Sequence, residues 1–173
     1  MKYTAGFGPG GENSIYRYTL RRDWSNEPGL FGGQNKGAAL FLMLNPSTAD
    51  ARRNDNTVAK CMRLARSWGY GALEVRNIFA LRSTDPAGLR KIADPVGPEN
   101  DQAIIDCASS PETGLIVAAW GNHGRYLERS RRVREMLLKI GRPAHAFTIT
   151  SQNEPAHPLY QRECAEADLV RFL

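Results

Sequence analysis

The apolar residues of this chain gather in short unbroken runs separated by stretches of mixed polarity. Leu40-Phe41-Leu42-Met43-Leu44 has no polar break and closes on Asn45-Pro46. A wholly apolar run ended by turn residues predicts a strand buried on both faces. Leu73–Ala80, Leu115–Trp120 and Ala144–Ile149 read as three more strands. Ile15–Leu20 is β-prone with partial alternation and reads as an edge strand. Arg21 to Trp24 and a Pro/Gly loop through Gly37 follow it.

Helical spacing appears between these runs. Val58, Cys61, Met62, Ala65 and Trp68 fall at i, i+3, i+4, i+7 and i+10, on one helix face. Asn54 or Asp55 can cap that helix, and Gly69 and Gly71 stop it. Pro98 predicts a second helix start, with Glu99 and Asp101 near its positive end, running to about Ser109. A third helix is expected over 125–140, with Tyr126, Ser130, Val133, Leu137 and Ile140 inward. A fourth is expected over 159–173. Residues 1–14, with Gly6, Gly8, Gly10 and Gly11, read as a loop or flexible arm.

Strand and helix therefore alternate four times. That order predicts an α/β three-layer sandwich: a central, mainly parallel four-stranded sheet with helices on both faces, plus an N-terminal edge strand or hairpin. A chain of 173 residues is expected to form one domain.

Charge adds a direction. The net charge is +5, and most basic residues are arginine. Arginine binds phosphate and carboxylate through a planar fork, so the expected partner is acidic, nucleic acid first. Other classes drop out. The three cysteines lie far apart, so neither a zinc site nor a disulfide framework is indicated. No Gly-x-Gly-x-x-Gly follows a strand, no Lys-Ser/Thr follows the N-terminal glycines, and no Gly-x-Ser-x-Gly elbow exists. No metal and no cofactor are expected. The first residues lack the apolar core of a signal peptide, and no apolar run approaches the ~20 residues that span a bilayer. A cytoplasmic protein without membrane contact is the expectation.

Ligands of open α/β sheets sit at the carboxyl ends of the strands. Four loops meet there. The first carries Asn45, Pro46, Ser47, Thr48 and Asp50; the second runs from Asn77 through Arg82 to Asp85-Pro86. The third carries Trp120, Asn122 and His123, and the fourth carries His157. Asn45 can orient a water or merely bond its own turn. Asn77 offers donor and acceptor to a base edge, or satisfies a neighbouring loop. His157 can donate where negative charge develops, or lie on the surface. Asp50 suits a general base or a helix cap. Trp120 is a stacking platform or ordinary packing. Arg82, Arg125 and Arg129 can hold backbone phosphates, although arginines on the 125–140 helix also suit a solvated face.

Several words along the chain resemble a bacterial and phage family known as a domain of unknown function, number 1643. They are Tyr16-Arg17-Tyr18 with Trp24, Leu44-Asn45-Pro46-Ser47-Thr48-Ala49-Asp50, Trp68-Gly69-Tyr70-Gly71, Asn77-Ile78-Phe79-Ala80, Ala119-Trp120-Gly121, and Pro155 with His157-Pro158-Leu159-Tyr160. Asn56 departs from the proline expected after Asp55.

More distantly, the loop order is similar to that of the uracil-DNA glycosylase superfamily. That resemblance implies that Asn45 positions the attacking water, Asn77 reads the Watson–Crick edge of a flipped base, and His157 stabilises charge on the base oxygen. It departs at Met43 and Ser47, where glycines are usual, and at Leu159-Tyr160, in place of Ser-Pro. The implied function is metal-independent hydrolysis of an N-glycosidic bond in DNA or in a free nucleoside or nucleotide. The alternative is a non-catalytic module of the same fold that binds nucleic acid or nucleotide.

Overall fold

The chain opens on a strand that its glycine-rich first residues conceal. In the computed structural model, which describes residues 1–27 and 35–173, β1 (Lys2–Phe7) pairs antiparallel with β2 (Arg17–Asp23). The expected loop or arm over 1–14 is thus corrected, and only the connection between the two strands is irregular. β1 gains a full ladder on β2, and Tyr3 lies under the Arg22 guanidinium, 4.3 Å from the ring centroid. Part of the expected Pro/Gly loop, residues 28–34, lies outside the described residues.

The remaining elements are β3 (Ala38–Met43), α1 (Asn56–Ser67), β4 (Ala72–Asn77), α2 (Asn100–Ser109), β5 (Thr113–Ala118), α3 (Arg129–Lys139), β6 (His145–Ala146) and β7 (Val170–Arg171). One seven-stranded sheet runs β1-β2-β4-β3-β5-β6-β7. β3 pairs parallel with β4 and β5, and β5 with β6. β2 and β7 add antiparallel strands to the two sides of this parallel centre. The sheet is therefore mixed, and larger than the four strands that the apolar runs predict.

β3 shows why an unbroken apolar run was needed. Successive side chains of a strand point to opposite faces. Ala39, Phe41 and Met43 join a cluster with Val58, Cys61, Met62 and Ala65 of α1. Leu40, Leu42 and Leu44 join a second with Ile104 of α2 and Val133 and Leu137 of α3. Both faces are covered, so the layers are α1, sheet, then α2 with α3. Asp55 caps α1 by accepting the Val58 N–H at 2.8 Å.

Three boundaries differ from the pattern. The helix expected over 125–140 begins at Arg129, because Leu127 and Glu128 take left-handed φ of 52° and 54°. Arg129 is buried and donates to the Ile78 carbonyl and to Asp101, which ties α3 to β4 and α2. The strand expected over 144–149 shrinks to β6, since Thr150 and Glu154 close a turn just beyond it. The helix expected over 159–173 is absent. That segment is extended, with two short 3-10 turns, because other elements reach out to it. Trp68 donates to the Cys164 carbonyl, Tyr70 to Glu166, and the Phe172 amide to the Ala144 carbonyl. Partners in distant sequence outweigh local helix propensity there. Among the described residues, no helix is long and apolar enough to cross a membrane.

Candidate functional site

The carboxyl ends of the parallel strands open on one cleft of about 540 Å³. That volume lies within the ordinary range for small-molecule sites. Asn45 and Ser47 enter it from the loop after β3, and Asn77 is the last residue of β4. Trp120, Asn122 and His123 enter from the loop after β5, and His157 and Tyr160 from the loop after β6. Two loops and the end of β4 therefore bring Asn45, Asn77 and His157 to one cavity.

Asn77 is the unusual group. Its side chain is 1% exposed, and neither the amide nitrogen nor the amide oxygen has a partner among the described residues. A buried amide left in this state costs about 1–3 kcal/mol. Its backbone, by contrast, is firmly held. The Asn100 amide donates to the Asn77 carbonyl at 2.9 Å and to the Ile78 carbonyl at 3.1 Å. The Ile78 N–H bonds the Met43 carbonyl at 2.8 Å. A rigid backbone thus holds an unsatisfied donor–acceptor pair within the wall of the cleft.

Asn45 is arranged the opposite way. Its Nδ2 donates to the Ser83 carbonyl at 2.7 Å and to the Pro46 carbonyl at 3.1 Å. These bonds assign the amide orientation and leave Oδ1, an acceptor, for the cleft. His157 accepts the Leu159 N–H at Nδ1, 3.3 Å away. Its neutral form therefore carries the proton on Nε2, a donor. Burial holds the imidazole below its ordinary pKa of 6.5, against the pull of Asp55.

That shift has a stability consequence. The fold favours the neutral ring, so above pH 6.5 folded and unfolded chains hold the same protons there. As pH falls below 6.5 the unfolded chain charges first, and stability drops until the folded ring also titrates. Urea denaturation at pH 7.5 and 5.0 is expected to show a smaller loss on acidification for His157→Gln than for wild type.

Two groups that sequence reasoning did not place in the site are also here. Asp55 was read only as a helix cap. It is that, through Oδ1, and its carboxylate lines the cleft as well. Arg17 was noted only within a family word. It starts β2, is 2% exposed and lines the same cavity. Its signal in the sequence is weak, since an arginine at the edge of a β-prone run is usually solvated.

Trp120 lines the cleft as a packed side chain. Its Nε1 donates to Glu154 at 2.8 Å, and its ring meets Phe172 edge-on at 5.6 Å. Asn122 is exposed and accepts from the Thr150 hydroxyl at 2.6 Å, and His123 is exposed at the rim. Gly121, beside them, has φ 70° and ψ −177°, a conformation open essentially to glycine alone. Gly121→Ala is expected to cost about 1–3 kcal/mol in denaturant unfolding, although its Cβ would make only an ordinary contact, 3.8 Å from the His157 Cβ.

Other expected site residues lie elsewhere. Pro46 is buried, and its carbonyl accepts from Asn45 and Ser83. Thr48, Asp50 and Arg82 line a shallower groove that shares Ser47, Ser83 and Thr84 with the cleft. Asp50 Oδ1 accepts the N–H groups of Arg52 and Arg53, which hold its carboxyl below the usual range and make it a weak base. Arg82 donates to the carbonyls of Glu12 and Ser14, so it anchors the turn between β1 and β2. Arg129 is the buried tie described above and cannot reach a phosphate. Arg125 is exposed, outside the cleft lining.

Taken together, the cleft offers an unpaired amide, an acceptor, a neutral imidazole donor, a carboxylate and a guanidinium between apolar walls that include Met43, Leu44 and Val58. Neither the curated proteins nor the solved structures include a match to this chain. Over residues 17–159, from the arginine that opens β2 to the loop that carries His157, the sequence matches the family model described as Protein of unknown function (DUF1643), and the chain belongs to that family.

Proposed function

We propose that the cleft binds a nucleobase, in DNA or in a nucleotide, and hydrolyses its N-glycosidic bond. The observation that carries this reading is the Asn77 amide, buried, rigidly mounted and without a partner on either polar atom. A flat heterocycle with adjacent donor and acceptor supplies both missing bonds. A base held in a duplex would have to be flipped out to reach it.

The other groups fit roles around such a base. Asn45 Oδ1 accepts a hydrogen bond from a water and aims its oxygen at the anomeric carbon. The water oxygen bonds that carbon as the carbon–nitrogen bond breaks, and the electron pair of the broken bond passes into the departing base. His157, neutral and protonated on Nε2, donates to the base oxygen where this charge collects. The water's proton passes to the Asp55 carboxylate. Fold alone carries no reaction, so the weight rests on these groups.

The test is release of free base, followed by chromatography, from oligonucleotides with uracil, mismatched or modified bases and from nucleosides and nucleotides. Wild type is expected to release base from at least one of them. His157→Ala is expected to slow release roughly 10²–10³-fold, the loss typical of one preorganised donor, and Asn45→Ala to slow it comparably. Binding without release from any substrate would remove the hydrolytic step and leave a binding module. No release and no ligand-induced rise in melting temperature would remove the whole reading.

A further inference from the structure

The cleft holds a second buried group short of partners, and this one is charged. Arg17 donates through Nη1 to the Ala49 carbonyl, while Nε, shut off from solvent, has no acceptor among the described residues. Asp55, the acid that acts on it most strongly, shares the cleft but forms no direct ion pair with it among the described residues.

The neighbouring buried arginine shows what completion looks like in this fold. Arg22 is also fully buried. Its Nε donates to Asn54 at 2.7 Å, and its other nitrogens donate to the carbonyls of Thr4, Arg21, Asp50 and Arg53. Arg129 is tied to a carbonyl and to Asp101. Arg129 also keeps one buried nitrogen, Nη1, without a partner, but of the three only Arg17 lines the cleft, where a ligand could complete it. A buried cation with one carbonyl acceptor and no counterion is disfavoured unless something else supplies the missing acceptors.

Position says what supplies them. The Arg17 N–H bonds the Ala80 carbonyl at 3.0 Å, so the residue is mounted beside the chain that leaves Asn77. The cleft wall made by Ser47, Ser83 and Thr84 continues into the groove with Thr48, Arg53 and Arg82. Hydroxyl and guanidinium donors dominate that side. Among the described residues the one carboxylate lining that groove, Asp50, is already bonded to two backbone N–H groups.

We propose that Arg17 binds a phosphate group of the ligand, so that the cleft takes a nucleotide unit in preference to a bare nucleoside. Arginine's planar fork matches phosphate oxygens. This inference rests on the reading of the cleft as a nucleobase site. The phosphate can belong to a free nucleotide or to a strand, and the same chemistry serves both.

Calorimetric titration separates the cases. The probes are the common deoxynucleosides with deoxyuridine, their 5′-monophosphates, inorganic phosphate, and a deoxythymidine pentamer without terminal phosphates. Monophosphates or the pentamer are expected to bind wild type at least tenfold tighter than nucleosides. Arg17→Met is expected to close that gap and to leave nucleoside affinity within about twofold. A gap confined to monophosphates identifies a free nucleotide; one confined to the pentamer identifies a strand.

Equal binding of nucleosides and phosphorylated probes, or a gap that survives in Arg17→Met, overturns the assignment and leaves the base cleft standing. Phosphate bound through Arg17 with no nucleoside binding upholds the anion site and removes the base reading. No binding of any probe removes both. Should Arg17→Met fail to fold, competition on wild type decides. Inorganic phosphate is expected to weaken monophosphate or pentamer binding but not nucleoside binding, and the absence of that selectivity overturns the assignment.

Discussion

Asn77→Leu is expected to fold at least as stably as wild type while ligand binding falls by two orders of magnitude or more. The two halves of this result come from one fact. In the free protein the amide is buried and makes no hydrogen bond among the described residues. Replacing it by an apolar group of similar volume removes an uncompensated desolvation penalty of about 1–3 kcal/mol. In the complex the same amide would form two hydrogen bonds, each worth about 0.5–1.5 kcal/mol net, with the ligand's own polar edge left unpaired in the variant. Urea denaturation and ligand titration on one preparation read both quantities. Destabilisation by more than about 1 kcal/mol would mean that Asn77 is an ordinary structural amide, and the site would lose its central residue.

Glu154→Ala is expected to lower stability by about 3 kcal/mol or more, far beyond what Glu154→Gln does. Glu154 is 4% exposed and lies between three donors. It accepts from Trp120 Nε1 at 2.8 Å and from the Ser130 hydroxyl at 2.8 Å, and Arg134 approaches at 3.4 Å. Truncation strands the first two in the interior and leaves the arginine with the Asn153 carbonyl and the Phe172 ring. Glutamine keeps an acceptor and loses mainly the ionic contact, which is long and partly solvated, so about 1 kcal/mol is expected. Equal effects of the two substitutions would show that charge, not hydrogen bonding, holds this junction. Because Trp120 and the loop after β5 line the cleft, Glu154→Ala is also expected to weaken ligand binding.

Legibility in the sequence varied by element, for identifiable reasons. The β3 run was readable because a strand covered on both faces must be apolar at every position, and nothing else in the chain is needed to see that. The α1 face was readable because its period is local. The loops with Asn45, Asn77 and His157 were placed at one edge by topology alone, since parallel strands present their carboxyl ends together. Arg17 escaped because it arrives on an antiparallel strand added from the side, where pairing register decides the neighbours. The arginines at 125 and 129 were read as phosphate holders or a solvated helix face; the left-handed residues before α3 and the Asp101 contact send Arg129 inward instead.

The amino-acid pattern by itself determined the alternation of strands and helices, the parallel centre of the sheet, and the edge at which polar loops gather. Those features depend on periodicity and on short-range backbone geometry. Only the tertiary structure decided that β1 and β7 extend the sheet, that the last fifteen residues stay extended, and which polar groups remain unpaired. A hydrogen-bond partner is a property of two segments at once, and no single segment's composition reveals that the Asn77 amide and the Arg17 Nε are left without theirs.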